Sequence, residues 1–516
     1  MITLESTRLR PAQSTPTSTP LSILDATVAR FAPTGGIWIY DQPANVDRKT
    51  LIDNLRISLI ETLSKFPHWA GQLQWTPFNP KGKHTERFNR PLIVYGTDED
   101  PGVEWRVVEH PTGVADIVPT AQDRASSTTA SRPGAWAGDN FDQQLFISPN
   151  PLALANLRDY AGLPGVQVQI TLLRDGCYAI GVKIAHCLAD AQALMVFVHL
   201  WAFNSQNQFG HNPESPLLGE PIFDPMSLDN RAAGNIDSTE ADQDIIKTAR
   251  QLPLHRYSWW DTADEGYPQF CIPTTENSKP APADFNHNLI SPSEPAPWLS
   301  WDFSRPVSHT QLHFTGAELR EFQSLALETG FRSDISRLDA LLAHLWIKIT
   351  RARGYADSSK PVYLDLSLGA RARVSPALPD AFIGSPLFLT HVGGPASWAC
   401  KQTVGEMASR IRETMKGFTA DAVGAMLHDA AYEVSPQRLW QAFVGSEHTL
   451  ATSWLRLRLY EVDFVGSRPR YVHAVMPRMD GCLQIMDSAV GDGGMDVALY
   501  LDREAMQRLL NGGNCT

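Results

Sequence analysis

Long apolar runs are missing from this chain of 516 residues. None approaches the roughly 18–20 residues that a membrane-spanning helix needs, so no membrane partner is expected. The opening MITLESTRLRPAQSTP has no apolar centre, and no secretory signal is expected either. Positive charge is short too. Lys and Arg total 44 against 56 Asp and Glu, a formal net charge of −12, whereas a nucleic-acid partner calls for a basic footprint. A local cluster of cations or backbone N–H groups can still hold a small anion. The six cysteines, at 177, 187, 271, 400, 482 and 515, contain no CxxC pair. They read as reduced cytosolic thiols and not as a disulfide framework. No Cys/His spacing of a zinc site is seen, and no metal is expected. No glycine-rich phosphate loop and no G-x-S-x-G elbow occur, which removes P-loop, dinucleotide and serine-hydrolase chemistry.

What is present is an ordinary globular balance, 43% hydrophobic and 19% charged, in a chain long enough for two large domains. Residues 1–20 are polar and rich in Pro, Thr and Ser, and read as a poorly ordered arm. Leu51 to Phe66 carries Leu55, Leu59 and Leu63 at helical spacing. Residues 120–140 have few large apolar side chains and read as a mobile surface insertion. From 205 to 300 prolines are frequent and apolar periodicity is lost, as in a crossover between domains. One ordered piece is expected there, QLPLHRYSWW, whose Tyr257, Trp259 and Trp260 either dock the crossover on a domain or line an apolar acceptor pocket. Helices are expected at GAELREFQSLALETG, at SRLDALLAHLWIKITRARG behind a Ser336/Asp339 capping box, and over Gln402–Met415. Strands are expected at Val362–Leu368, Leu450–Phe464, 471–475 and 495–501, before a closing helix from Asp502. The division is 1–204, 205–300 and 301–516, and the class is α+β with large mixed sheets.

The chemistry gathers between Val166 and Phe203. Two β-rich runs flank Asp175-Gly176, a strong hairpin signal. The second run ends at His186, and a helical pattern of Leu194, Phe197, Val198 and Trp201 follows. A histidine where a buried strand stops can be held rigidly and still face a cavity. Taken alone, such a histidine is more often a packed core residue than a base. Asp190, four residues on, could pair with it or turn away to an arginine. Cys187 is set aside as a nucleophile, because neighbouring side chains of an extended segment point to opposite faces.

The surroundings of HCLAD resemble the BAHD acyltransferases. Over nearly the whole chain, seven blocks stand in the family's order: LSILD from Leu21, FPHWAGQL from Phe66, His186-x-x-x-Asp190, LDALLAHLWIKITRARG, GARARVSPALPDAFIGS from Gly369, TSWLRLRLYEVDFVGSRPRYV from Thr452, and GGMDVALYLDREAM. Ala191 replaces the glycine after HxxxD, Gly369 an aspartate, Ser385 the asparagine of GN, and DFVGS the family's DFGWG.

The resemblance implies two pseudo-equivalent chloramphenicol-acetyltransferase-like domains meeting along a channel, and a cytoplasmic monomer. It implies acyl-CoA, with acetyl-CoA expected, as a co-substrate instead of a bound cofactor, and a small-molecule alcohol as acceptor. His186 would be the general base, Thr452 and Trp454 oxyanion donors, and Asp190 with Arg371 a structural pair. Apart from the resemblance, Ser336 at a helix N-terminus is either a plain N-cap or a contact for a CoA phosphate. Two other readings stay open. One is a CoA-independent cyclase or isomerase on the same fold. The other is a condensation-type enzyme fed by a carrier protein, although such enzymes carry a second histidine where Ala185 stands.

Overall fold

The computed structural model describes residues 1–154, 156, 158–211, 213–280 and 290–512. Cys515 lies outside them. The fold is α+β, built on two mixed sheets flanked by helices. The first sheet runs, from edge to edge, Ile2–Leu9, Val103–His110, Val166–Leu173, Tyr178–Ile184, Thr34–Tyr40 and Tyr471–Ala474. Its centre is the expected hairpin, antiparallel from Val166↔Ile184 to Leu172↔Tyr178. The turn uses Gly176 at φ 83°, a conformation that favours glycine.

Helices Arg48–Leu63 and Ala191–Gln208 are held to each other beside this sheet. Leu51, Leu55, Leu59 and Leu63 are buried at helical spacing. Trp201 Nε1 donates to the Leu55 carbonyl at 3.0 Å, and Ser205 Oγ to Asn54 Oδ1 at 2.6 Å. These bonds satisfy polar groups that burial would otherwise penalise.

The second sheet runs Leu387–Pro395, Pro361–Gly369, His448–Ser453, Cys482–Asp487, Met495–Asp502, Val307–Phe314 and Ala135–Ala137. Helices Gly316–Glu328, Arg337–Ala352 and Val404–Gly417 cover it, each opened by a Thr or Ser capping box. Leu341, Leu345 and Ile349 share one core with Leu364 and Val497.

Each sheet takes a strand from the other half of the chain. Tyr471–Ala474 pairs with Thr34–Tyr40, and Ala135–Ala137 pairs with Val307–Phe314. The stretch 120–140 is therefore no mobile insertion. It forms helix Ala121–Ser126 and an edge strand, with Ala135 fully buried. Backbone pairing fixes it where side-chain burial alone offered little. The first 20 residues are not a loose arm either, since Ile2–Leu9 and Thr17–Pro20 pair antiparallel with inner strands.

The expected strand over Leu450–Phe464 stops at Ser453. Arg456 and Arg458 adopt φ 68° and 58°, which no strand accommodates. Within 205–300 several short helices form besides the docked piece, and Tyr257, Trp259 and Trp260 are buried. Among the described residues no helix is long and apolar enough to cross a membrane.

Candidate active site

His186 stands in the tight link between strand Tyr178–Ile184 and helix Ala191–Gln208. Both ends of the link are fixed. Ala185 N donates to the Gly165 carbonyl at 2.8 Å and Asp190 N to the Gly384 carbonyl at 3.0 Å. Asp190 is the helix N-cap, its Oδ1 accepting from Ala193 N at 2.9 Å. The same carboxylate receives a two-pronged bond from Arg371, Nη1 to Oδ2 at 2.5 Å and Nη2 to Oδ1 at 2.9 Å. Arg371 also donates to the Phe382 carbonyl. Asp190 thus faces the second sheet's loops, and no hydrogen bond joins it to His186 among the described residues.

The group that does reach the histidine is Ser385. Its Oγ lies 3.0 Å from His186 Nδ1. Ser385 is itself held by its backbone N–H, which donates to Asp25 Oδ1 at 2.6 Å. Asp25 Oδ2 in turn accepts from Ser22 N and Oγ at 2.9 and 2.7 Å. The LSILD segment therefore acts through Asp25 on the residue that orients the histidine. Burial raises the Asp25 carboxyl to about 7, against the pull of these bonds. Phe31 packs edge-on against the imidazole, ring centres 5.8 Å apart. Burial lowers the His186 pKa from its ordinary 6.5, so the ring is neutral at pH 7. With Nδ1 engaged by Ser385, Nε2 is the nitrogen free to take a proton.

His186 opens onto a cavity of about 630 Å³ that Thr452, Trp454, Gln484, Gly369 and Arg30 also line. Strand alternation builds one wall. Ser367 and Gly369, Leu450 and Thr452, Cys482 and Gln484 occupy alternate positions of three neighbouring strands. Thr452 lies directly across from Gln484. The Thr452 hydroxyl and Gln484 Oε1 are both buried with no hydrogen-bond partner. Gln484 was missed in the sequence; its one trace there is a glutamine inside the apolar run CLQIMD. A Cβ added at Gly369 would meet nothing within 4 Å, so the cavity is open at that position.

Other sequence candidates lie elsewhere. Ser336 is not on the cavity wall. Its hydroxyl caps Asp339 N at 3.2 Å, bonds the Asp339 carboxylate at 2.7 Å and accepts from Arg412 Nη2 at 2.8 Å. Cys187 is fully buried and off the cavity wall, and desolvation pushes its thiol pKa up, which disfavours the thiolate. Trp259 lines the cavity; Tyr257 and Trp260 do not. The altered DFVGS segment is also off the cavity. Phe464 packs on Trp201, ring centres 4.8 Å apart, and Asp463 Oδ1 accepts from Gly466 N and Ser467 N.

One buried group has the composition of a metal set: His255, Asp365 and His448. His448 Nδ1 is 2.7 Å from Asp365 Oδ2, a hydrogen-bonded pair that secures strand Pro361–Gly369 to strand His448–Ser453. The other carboxylate oxygen, Oδ1, faces His255 Nε2 at 3.3 Å.

Comparison with known proteins agrees with the fold. The Transferase family profile matches residues 1–81 and 304–513. Acyltransferase AFT15-1 of Alternaria alternata is 24% identical over 491 residues, 92% of this chain and 89% of that protein. Acyltransferase abl6 of Leptosphaeria maculans is 24% identical over 467 residues, 89% and 84% of the two chains. Among solved structures, vinorine synthase superposes with a TM-score of 0.61 at 16% identity, covering 98% of this chain and 95% of that one. TRI101 of F. graminearum, complexed with coenzyme A and deoxynivalenol, gives 0.64 at 16% identity, covering 95% and 96%.

Proposed function

Because the chain belongs to the Transferase family of BAHD acyltransferases, we propose that it moves an acyl group from acyl-CoA to a hydroxyl of a small specialised metabolite, with His186 as general base. The acyl group is acetyl in this reading, and the protein a cytoplasmic monomer. One observation carries it. A neutral imidazole, anchored through Nδ1 by Ser385, faces a large cavity that also holds unpartnered polar groups. The structural neighbour TRI101 was solved with coenzyme A and deoxynivalenol, which supports a reading with CoA and a second small molecule.

In the reaction, His186 Nε2 takes the acceptor's hydroxyl proton as the oxygen attacks the thioester carbonyl. The C–O bond forms and the carbonyl oxygen becomes an oxyanion. The Thr452 hydroxyl, buried and otherwise unpaired, donates to it, and Trp454 beside it supplies a second donor. Collapse breaks the C–S bond. The imidazolium returns its proton to the thiolate, giving ester and free CoA. Both substrates occupy the cavity together, so proximity replaces an acyl-enzyme. Asp190 and Arg371 keep the histidine link in place without touching substrate.

The test is a screen of hydroxylated small molecules with labelled acetyl-CoA, run on the wild type and on His186→Ala. Label transfer that vanishes in the variant, with circular dichroism unchanged, is the expected result. Equal transfer by both proteins contradicts the assignment.

A further inference from the structure

We propose that Arg30 is the counter-ion for a carboxylate carried by one of the two substrates, an inference that rests on the acyl-transfer reading above. Arg30 lies on the cavity wall, five residues after Asp25 and directly before Phe31, the ring that packs on His186. Its guanidinium is set against two indoles. The guanidinium carbon is 4.2 Å from the ring centre of Trp259 and 4.1 Å from that of Trp440. Ring faces attract a cation but do not neutralise it. Nε and Nη2 are shut off from solvent and reach no acceptor.

Among the described residues no protein anion stands in for one. The ionisable groups that act on Arg30 are the Tyr267 hydroxyl and the Cys271 thiol. Desolvation raises both above their ordinary values, so both are neutral at pH 7. Among the described residues the one acid on the cavity wall is Asp190, and Arg371 already holds it. Of the charged side chains lining the cavity among the described residues, Arg30 alone lacks a partner. A buried cation without a counter-ion is costly, and proteins pair such groups or leave the partner to a ligand.

The chemistry of the surroundings narrows the ligand. A single guanidinium, with no second cation beside it among the described residues, matches a monoanion better than a phosphate dianion. Trp259, Trp298, Trp301, Trp440 and Phe443 line the same cavity, so the body attached to the carboxylate is apolar or flat. The carboxylate comes either with the acceptor, a hydroxy acid, or with the donor, a dicarboxylic acyl-CoA.

Both sources can be tested with defined probes. Binding of 12-hydroxydodecanoate and of 4-(hydroxymethyl)cinnamate is measured by quenching of intrinsic tryptophan fluorescence, each against its methyl ester. Release of CoA is followed with acetyl-CoA or malonyl-CoA as donor. Wild type, Arg30→Lys and Arg30→Gln are compared. The expected outcome is an acid-over-ester preference of tenfold or more in the wild type. It is partly kept in Arg30→Lys and falls to about one in Arg30→Gln. A malonyl-over-acetyl preference that disappears in Arg30→Gln, with no acid preference, assigns the carboxylate to the donor and also supports the proposal. Acid and ester bound alike, or neither bound, together with no malonyl preference, overturns it. These ratios are taken within one preparation, so partial misfolding does not mimic the result. If no acyl transfer occurs with any acceptor while the acid preference stands, the acyl-transfer reading fails and the carboxylate site survives.

Discussion

The two walls of the cavity differ in how fully the protein satisfies them. Around His186 the polar groups are closed on one another: Asp190 on Arg371, Ser385 on the imidazole, Asp25 on Ser385 and Ser22. On the second sheet, Thr452 and Gln484 keep buried polar atoms with no partner, and Arg30 across the crossover aromatics keeps a bare guanidinium. Leaving such groups unpaired costs about 1–3 kcal/mol each. The difference teaches which wall is scaffold and which is receptor. The base is held rigid by the protein, and the open polar groups await the substrate.

The largest effect is expected from breaking the closed wall. Arg371→Met leaves the buried Asp190 carboxylate without its cation, and loss of one partner of such a pair costs about 3–5 kcal/mol. Urea unfolding measures it; a midpoint equal to wild type would mean that the pair does not anchor the link. On the open wall, Thr452→Val keeps shape and removes the hydroxyl. A fall of about 10²–10³ in kcat is expected with stability nearly unchanged, because no intramolecular bond is lost. Unchanged kcat would remove Thr452 from the oxyanion site.

Smaller effects sharpen the contrast. Gly369→Leu projects into open cavity, so the fold is expected to tolerate it while KM for one substrate rises roughly tenfold. A thermal shift without a KM change would contradict that geometry. Ser385→Ala removes one hydrogen bond, worth about 1 kcal/mol, and a loss on the order of fivefold is expected in kcat with KM little changed. The pH profile checks the same contact. Burial lowers the His186 pKa, so its neutral form persists below pH 6.5 and the acid limb of kcat/KM falls beneath that value. A limb above 6.5 would place the histidine in a different environment.

Much of this was legible in the chain. The hairpin at Asp175-Gly176, the link carrying His186, and the capped helix after Ser336 are local, and residues close in sequence specify them. The Asp190–Arg371 pair was legible only through the family's block order. Ser385 and Asp25 could not be connected to His186 from sequence, because those contacts join residues 199 and 360 positions apart. The exchanged strands Ala135–Ala137 and Tyr471–Ala474 escaped notice or lost their place for a related reason. They are three and four residues long, and backbone pairing across the two halves of the chain fixes them, not an apolar period. Arg30 carries no local sign at all, since an arginine is read as exposed until the tryptophans around it are placed.

The most direct test of the central claim is single-turnover transfer from labelled acetyl-CoA to a hydroxylated acceptor found by screening, comparing wild type with His186→Ala. If His186 is the base, the rate constant falls by about 10²–10⁴ while folding and CoA binding are kept. A variant that transfers the acetyl group at the wild-type rate would contradict the account.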